Sequence, residues 1–106
     1  MKKSITWTPQ SEEDAYETYQ YIALDSVEAA EDYFDALFDT FDKLLEHPKM
    51  GVVVEEGKGE LYGLRLIPVS STFRKHLVFY LSKEKSIHIV RILHSSRDIE
   101  PLFADE

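Results

Sequence analysis

Residues 76–94 read HLVFYLSKEKSIHIVRILH, and this stretch decides the fold. Its first part, His76 to Leu81, is continuous and apolar, which is typical of a central strand. The second part alternates, with Ile87, Ile89, Arg91 and Leu93 on one side and His88, Val90, Ile92 and His94 on the other. Lys83-Glu-Lys85 is polar and lies between the two parts. The stretch therefore predicts two antiparallel strands joined by a hairpin turn.

A third strand is predicted upstream of this hairpin. Leu61 to Val69 alternates, with Arg65 and Ile67 on the side opposite Leu64 and Leu66. The segment 70–75 links it to the strand at His76, so three consecutive strands form an antiparallel sheet. The segment 49–60 holds Gly51, Gly57 and Gly59 and shows no helical pattern. It is predicted to be a loop in which 52–54 is a candidate short edge strand.

The N-terminal half reads as one short strand and two helices. Ile5 and Trp7 alternate with polar residues, which indicates a strand over 4–8. Two starts are compatible with the first helix: Thr8 before Pro9 as cap, or Ser11 with Asp14 as a capping box; either helix ends near Leu24. The second helix is capped near Asp25-Ser26 and runs from about Val27 to His47, before Pro48. Its apolar stripe consists of Ala30, Phe34, Leu37, Phe41, Leu44 and Leu45.

The predicted order is β–α–α–β–β–β in one domain covering residues 1–106. The connection between the helices is short, so they should form an antiparallel hairpin. A hairpin of amphipathic helices needs an apolar surface to cover, and the three-stranded sheet offers one. The fold class is therefore α+β.

Charge is unevenly distributed along the chain. The net charge is −8, but residues 1–50 hold twelve acidic and four basic residues, whereas 62–97 hold seven basic residues and Glu84 as the one acidic residue. The acidity belongs to the helices, and a local positive field is possible at the sheet. The chain has no cysteine, no signal-like segment and no apolar run long enough for a membrane span. We expect a cytoplasmic protein with no membrane partner.

The cationic residues of the sheet are the candidates for function. Arg65 and Arg91 are on strands that belong to one sheet, and His94 and Arg97 close the last strand. Guanidinium groups recognise phosphates and carboxylates through two parallel hydrogen bonds, and a histidine beside them can act as acid or base. A purely structural role competes with this interpretation: Arg65 and Arg91 would pair with acidic residues, and Arg97 with Asp98 would hold the tail.

Other constellations do not indicate chemistry. Gly57-Lys-Gly59 lacks the length and the strand–helix context of a phosphate loop. The four histidines have no metal-ligand spacing, so neither a metal nor a cofactor is predicted. Asp35, Asp39 and Asp42 lie opposite the apolar stripe of the second helix. They are expected to be solvated and not to form an acid–base pair.

The ordered series of these stretches resembles the RelE/ParE superfamily of bacterial toxin–antitoxin toxins, and its ParE branch most closely. The resemblance covers almost the whole chain. It is carried by Trp7-Thr-Pro-Gln-Ser-Glu-Glu-Asp14-Ala, Tyr21-Ile22-Ala, Ala30…Tyr33…Leu37…Leu44, His47-Pro48-Lys-Met-Gly51, Leu64-Arg65, His76…Phe79-Tyr80 and Ile89-Val-Arg91-Ile-Leu-His94-Ser-Ser-Arg97-Asp98-Ile. The family fold is a helical hairpin on an antiparallel sheet.

The resemblance implies a toxin held inactive by an antitoxin whose C-terminal segment folds on it. Binding of that kind suits an apolar groove with a basic rim and an antitoxin rich in acidic and apolar residues. ParE-like members inhibit DNA gyrase by protein binding, without a catalytic residue set that can be transferred. The residues that would then bind the target are Arg65, Arg74, Arg91, His94 and Arg97. Self-association into a homodimer is left open.

RelE-like members instead cut messenger RNA on the ribosome. Under that alternative Arg65 and Arg91 would stabilise the phosphate charge, and His94 would act as acid or base. However, the loop 51–59 has one lysine and two glutamates where the RelE type carries paired lysines, and no tyrosine follows Arg91. A strongly acidic chain is also a poor ligand for ribosomal RNA, so direct nucleic-acid binding is not expected. We therefore predict a ParE-like gyrase inhibitor that is not an enzyme. A homologue that binds antitoxin without being toxic is the third alternative.

Overall fold

The computed structural model of the protein describes residues 3–96. Two helices and five strands follow one another in this range: β1 (Ser4–Trp7), α1 (Pro9–Ala23), α2 (Val27–Glu46), β2 (Val52–Val53), β3 (Arg65–Pro68), β4 (His76–Ser82) and β5 (Ser86–His94). Single 3₁₀ turns occupy Gly59–Leu61 and Ser71–Phe73. The candidate Arg97 and the Arg97–Asp98 contact lie outside the described residues.

Each helix begins at a side-chain cap. The Thr8 hydroxyl accepts a hydrogen bond from the Ser11 backbone N–H at 3.0 Å, with Pro9 in the first turn, and the Ser26 hydroxyl accepts one from the Ala29 N–H at 3.1 Å. Of the two predicted starts of α1, the one at Thr8–Pro9 is therefore confirmed. The capping box is wrong because Ser11 lies inside the helix and is buried, and Asp14 binds elsewhere.

The sheet has five strands in the order β1-β5-β4-β3-β2, and it is mixed. The predicted antiparallel set β3–β4–β5 is present, but the predicted sheet was too small. Strand β1 pairs in parallel with β5, from Ser4 opposite Ser86 to Trp7 opposite Ile89, and β2 adds an antiparallel edge to β3. The physical reason is that the backbone groups of both short strands need partners, which the open edges of β5 and β3 supply.

A β-bulge changes which residues of β5 share a face. Phe79 lies opposite Arg91, but the next residue, Tyr80, lies opposite Ile89, so Val90 is an extra residue on β5. The strict alternation predicted for β5 is therefore wrong beyond Ile89. As a result Ile92 packs on the same side of the sheet as Ile87 and Ile89.

Apolar side chains pack on both faces of the sheet. The helical hairpin covers one face, as predicted, with Tyr33, Leu37 and Leu44 of α2 buried against the strand residues. The opposite face carries a second cluster, which consists of Val54, Leu64, Phe79, Leu81, Val90 and Leu93. Burial on both sides explains why β4 reads as a continuous apolar run.

Candidate functional site

Arg91 forms an ion pair with Asp14 of α1. Its Nε and Nη2 atoms donate to the two carboxylate oxygens at 2.7 and 3.0 Å, and the same carboxylate accepts the Ile92 backbone N–H at 3.0 Å. Strand β1 ends at Trp7, and within residues 3–96 no strand pairs with this edge of β5 beyond Ile89. There the Thr8 hydroxyl donates to the Val90 carbonyl at 2.7 Å, and the Asp14 carboxylate accepts a hydrogen bond from the Ile92 N–H. Side chains at the start of α1 thus continue the sheet edge.

This pairing occupies the guanidinium that was predicted to bind a target. The hydrogen bonds that Arg91 donates to Asp14 raise the pKa of Arg91, an effect that burial opposes and that the charges of Asp14, Glu13 and Glu17 reinforce. The side chain of Asp14 is 9% exposed and that of Arg91 is 27% exposed. A bidentate, mostly buried pair of this kind holds α1 to the sheet, in agreement with the structural alternative for Arg91.

Arg65 is held by backbone carbonyls at the other side of the sheet. Its Nη1 atom donates to the carbonyl oxygens of Lys49 and Gly51 at 3.0 and 2.8 Å. Its cross-strand neighbour Tyr80 acts on the same loop, because the hydroxyl donates to the Pro48 carbonyl at 2.8 Å and accepts the Gly51 N–H at 2.9 Å. Burial raises the pKa of Tyr80, and the hydrogen bond with Gly51 and the charge of Arg65 partly offset this increase.

The close approach of this loop to the sheet explains the glycine at position 51. A Cβ atom there would lie 2.7 Å from the Tyr80 hydroxyl oxygen and 2.8 Å from the Leu66 carbonyl oxygen. Only a residue without a side chain lets the loop after α2 approach the strands so closely. Arg65 and Tyr80 therefore fasten this loop, and the expected acidic partner of Arg65 is replaced by carbonyl groups.

His94 faces a second histidine across the β4–β5 pair. The rings of His76 and His94 are 4.9 Å apart between centroids and nearly perpendicular. The Ser96 backbone N–H donates to Nδ1 of His94 at 3.1 Å, and the Ser96 hydroxyl is 2.7 Å from the same atom. Because Nδ1 accepts the backbone N–H, the neutral imidazole carries its proton on Nε2.

The environment of His76 favours its neutral form. Its ring packs on Tyr33 and Phe73, with centroid distances of 5.2 and 6.2 Å. Desolvation by burial lowers the pKa of His76, and the neighbouring His94 lowers it further. Burial raises the pKa of Tyr33 to about 12, so the phenol beside this pair stays protonated.

A cleft of about 500 Å³ opens over the two imidazoles, between the end of α1 and the ends of β4 and β5. Its lining consists of Glu17, Thr18, Tyr21, Ile22, His76, His94 and Ser96. The cleft thus offers two imidazoles and one carboxylate, but neither Arg65 nor Arg91 belongs to it. Within residues 3–96 no three His, Asp or Glu side chains are grouped so as to hold a metal ion.

The candidate cations are not gathered at one point. Strand β4 lies between Arg65 on β3 and Arg91 on β5, so their backbones are about 10 Å apart, and each guanidinium has partners in a different direction. Arg74 is exposed at the end of the 3₁₀ turn that precedes β4. An RNase site built from Arg65, Arg91 and His94 would need the three groups to converge on one phosphate, which this arrangement does not provide.

Three residues at these sites were not singled out from the sequence. Asp14 was interpreted as part of a cap, while His76 and Tyr80 were read as members of a buried strand. The sequence left both helix starts open; choosing Thr8 with Pro9 would have placed Asp14 in the second turn, where its carboxylate is not needed as a cap and can bind Arg91. No local pattern marks His76 or Tyr80, because their partners come from other strands and loops.

Comparisons with known proteins agree with this architecture. The sequence profile described as "ParE toxin of type II toxin-antitoxin system, parDE" matches residues 5–99. A solved structure described as "Chromosomal ParDE TA system from P. aeruginosa" superimposes with a TM-score of 0.66 at 22% sequence identity, over 87% of this chain and 95% of that chain. That structure supports the fold. No curated protein matches the sequence significantly. None of the described helices is long and apolar enough to cross a membrane.

Proposed function

The chain belongs to the ParE toxin family of type II toxin–antitoxin systems, and from this premise we propose that it inhibits DNA gyrase by protein binding and is neutralised by a cognate antitoxin. The match of the family profile to residues 5–99 is the observation that carries the proposal. It makes the chain the toxin of a toxin–antitoxin module, and gyrase is the target that ParE-like members inhibit.

The geometry of the cationic residues supports inhibition by binding over RNA cleavage. Arg91 is paired with Asp14, and the Nη1 atom of Arg65 is bonded to two carbonyls, so both guanidinium groups are held by partners within the fold and do not converge on one phosphate. The two helices also carry eleven acidic residues against Lys43 alone, and this field repels ribosomal RNA. Both features support a toxin that inhibits its target by binding a protein and not by cleaving RNA.

A supercoiling assay tests the target. Purified toxin is added to gyrase and relaxed plasmid, with and without the protein encoded by the neighbouring gene, and a parallel reaction supplies ribosomes and messenger RNA. We expect the toxin to abolish supercoiling and the neighbouring protein to restore it, while the messenger RNA in the parallel reaction stays intact. Cleaved message with normal supercoiling would establish the RelE-like alternative. Normal growth on induced expression without the neighbouring gene would indicate a non-toxic homologue.

Among the five predicted target-binding residues, Arg74 is the best probe of the gyrase surface. Arg65, Arg91 and His94 all have partners within the fold, so replacing any of them changes the structure as well as the surface. Arg74→Ala should weaken gyrase inhibition while leaving the free energy of unfolding unchanged. Lys58→Ala, which removes another exposed cation in the loop before β3, is the matched control. Equal inhibition by both variants would remove Arg74 from the proposed surface.

A further inference from the structure

The cleft over His76 and His94, which we call the histidine cleft, is lined by side chains that the fold already holds in place. Its volume is about 500 Å³, which is enough for one long side chain of a partner. The ring of His76 packs on Tyr33 and Phe73, and Nδ1 of His94 accepts the Ser96 backbone N–H. A group that enters the cleft therefore loses little binding energy to ordering these side chains.

The bonding of His94 argues against a metal ion as the occupant. A histidine binds a metal through a nitrogen lone pair. In His94 the Nδ1 lone pair accepts the Ser96 N–H, and Nε2 carries the proton, so no lone pair is left for a metal. That leaves His76 and Glu17, which are fewer donors than the three or four of protein zinc sites.

The charges around the cleft disfavour an anion. Glu17 lines the cleft and Asp25 follows the end of α1, and both side chains are exposed. The C-terminal carbonyl groups of α1 add a partial negative charge, and the last turn of the helix has no basic residue to neutralise it. Burial and the neighbouring His94 lower the pKa of His76, which keeps that ring neutral at pH 7. None of the described residues that line the cleft is lysine or arginine, so the site favours a cation.

The polar groups of the cleft match a guanidinium. This ion has five N–H donors, no acceptor and two flat faces that stack on aromatic rings. The Glu17 carboxylate, the Thr18 hydroxyl and the unprotonated nitrogen of neutral His76 are acceptors. Tyr21 offers a ring that is 77% exposed, on which the flat cation can stack. A lysine ammonium can use the carboxylate but has no flat face for the ring, so arginine is the better fit.

An apolar ridge beside the cleft indicates that the guanidinium belongs to a protein. Leu24 is 85% exposed and lies one helical turn after Tyr21, and the exposed Val27 begins α2. Exposed apolar side chains that are grouped in this way mark a surface that a partner covers. A free guanidinium compound in the cleft would leave this ridge in water, whereas a peptide with an apolar residue next to its arginine would cover it.

We propose that the histidine cleft binds the guanidinium of an arginine side chain on a partner protein, and that an apolar residue beside this arginine packs on Leu24 and Val27. Charge complementarity selects such a partner, since a basic segment is attracted to the acidic helices. Arginine is also among the residues that contribute most to binding at protein interfaces. The site goes beyond the proposed inhibition of gyrase and does not depend on which target the toxin inhibits.

Three synthetic tripeptides test the chemistry of the occupant. All are acetylated and amidated, with two leucines flanking arginine, lysine or citrulline, the uncharged analogue of arginine with the same shape. Binding to the wild-type toxin is followed by NMR through the backbone amide and imidazole signals. The arginine peptide should shift the signals of Tyr21 and His94 and bind about fivefold more tightly than the other two. Equal affinity of the arginine and citrulline peptides would overturn the proposal.

Matched variants of α1 test the location. Glu17→Gln removes the carboxylate of the cleft, and Glu12→Gln makes the same change of charge at an exposed position that does not line it. Tyr21→Ala and Tyr16→Ala form a second pair, in which both rings are exposed but only Tyr21 lines the cleft. Glu17→Gln and Tyr21→Ala should each weaken binding of the arginine peptide about threefold, and the two controls should leave it unchanged. Equal effects within both pairs would show that the peptide binds elsewhere on the toxin.

The pH dependence of binding distinguishes a cation from an anion in the cleft. The titratable groups that face it are Glu17 from α1, His76 from β4 and His94 from β5; the Tyr33 phenol stays protonated, and Arg91, whose charge interacts with Glu17, stays charged. Imidazoles gain positive charge as the solution is acidified from about pH 7.5 to about pH 5.5. The arginine peptide should therefore bind at least about twofold more weakly at the lower pH. Inorganic phosphate is the anionic probe, and phosphate that binds the cleft more tightly than the arginine peptide at the higher pH would overturn the proposal.

Discussion

Replacing Asp14 with alanine is expected to destabilise the protein more than any other single carboxylate change on the helices. The carboxylate is almost fully buried and accepts three hydrogen bonds, two from Arg91 and one from the Ile92 backbone. Its removal leaves the Ile92 N–H without this acceptor and the Arg91 guanidinium without its counter-charge. No other described side chain links α1 to β5 by an ion pair.

The size of the effect follows from these contacts. A backbone N–H left without a partner costs about 1–3 kcal/mol. The ion pair adds about 0.5–1 kcal/mol, since Arg91 is partly exposed and solvent screens the charge. The total is about 1.5–4 kcal/mol, which corresponds to a fall in Tm of roughly 6–30 °C for a domain of this size. Asp14→Asn keeps one acceptor for Ile92 and should lose about 1 kcal/mol less than alanine does.

Urea denaturation followed by circular dichroism measures the difference, with an unchanged m-value as evidence that the denatured state is unaltered. Asp35→Ala, an exposed carboxylate on α2, is the control and should change the free energy of unfolding by less than about 0.5 kcal/mol. A double-mutant cycle with Arg91→Met isolates the coupling between the two side chains. If Asp14→Ala and Asp35→Ala have the same effect, the carboxylate does not hold α1 to the sheet and the reasoning fails.

Three further predictions concern the contacts that fix the fold. Burial and His94 lower the pKa of His76 below 6.5, so the stabilising contribution of the neutral ring is complete above about pH 6.5 and is lost as pH falls. In His76→Gln the free energy of unfolding should therefore depend less on pH below that value. An unchanged pH dependence would show that His76 is not the titrating group. Tyr80→Phe removes the hydroxyl that bonds Pro48 and Gly51, and should cost about 1–3 kcal/mol in chemical denaturation, whereas Tyr62→Phe should cost nothing measurable. Thr8→Ala loses the cap of α1 and a bond to Val90, so we expect a loss of about 1–2 kcal/mol; Thr8→Ser, which keeps the hydroxyl, should recover most of it.

The sequence predicted elements that depend on neighbours along the chain. The stripe of α2, the Ser26 cap and the run at β4 are local patterns, and each element is present where it was expected. The pairing of β1 with β5 was missed because it joins residues about 80 positions apart, and nothing in the sequence around Ile5 and Trp7 indicates which strand lies beside them. The bulge at Val90 was missed for a related reason: an extra residue in a strand can be recognised only when its pairing with the opposite strand is known.

The functional residues were harder to predict than the elements that carry them. Arginine on a strand has the same sequence signature whether it faces a phosphate or a buried carboxylate. The partner decides between the two, and for Arg91 the partner is on a helix that begins 82 residues earlier. Nothing in the sequence indicated that Tyr16 of α1 and Phe38 of α2 line one groove. That proximity follows from how the two helices pack and not from either helix alone.

The parallel pairing of β1 with β5 also sets an order of events during synthesis. Residues 4–7 are synthesised about 80 residues before their partners at 86–89. Non-local pairings of this kind form late, since a long loop must close before they contribute. Until then Trp7 has no strand beside it, so nothing fixes its position against Phe38 and Phe41. In the nascent chain Trp7 therefore reaches its final packing only after β5 has been made, and a chain truncated before residue 86 lacks the strand that holds Trp7 against Phe38.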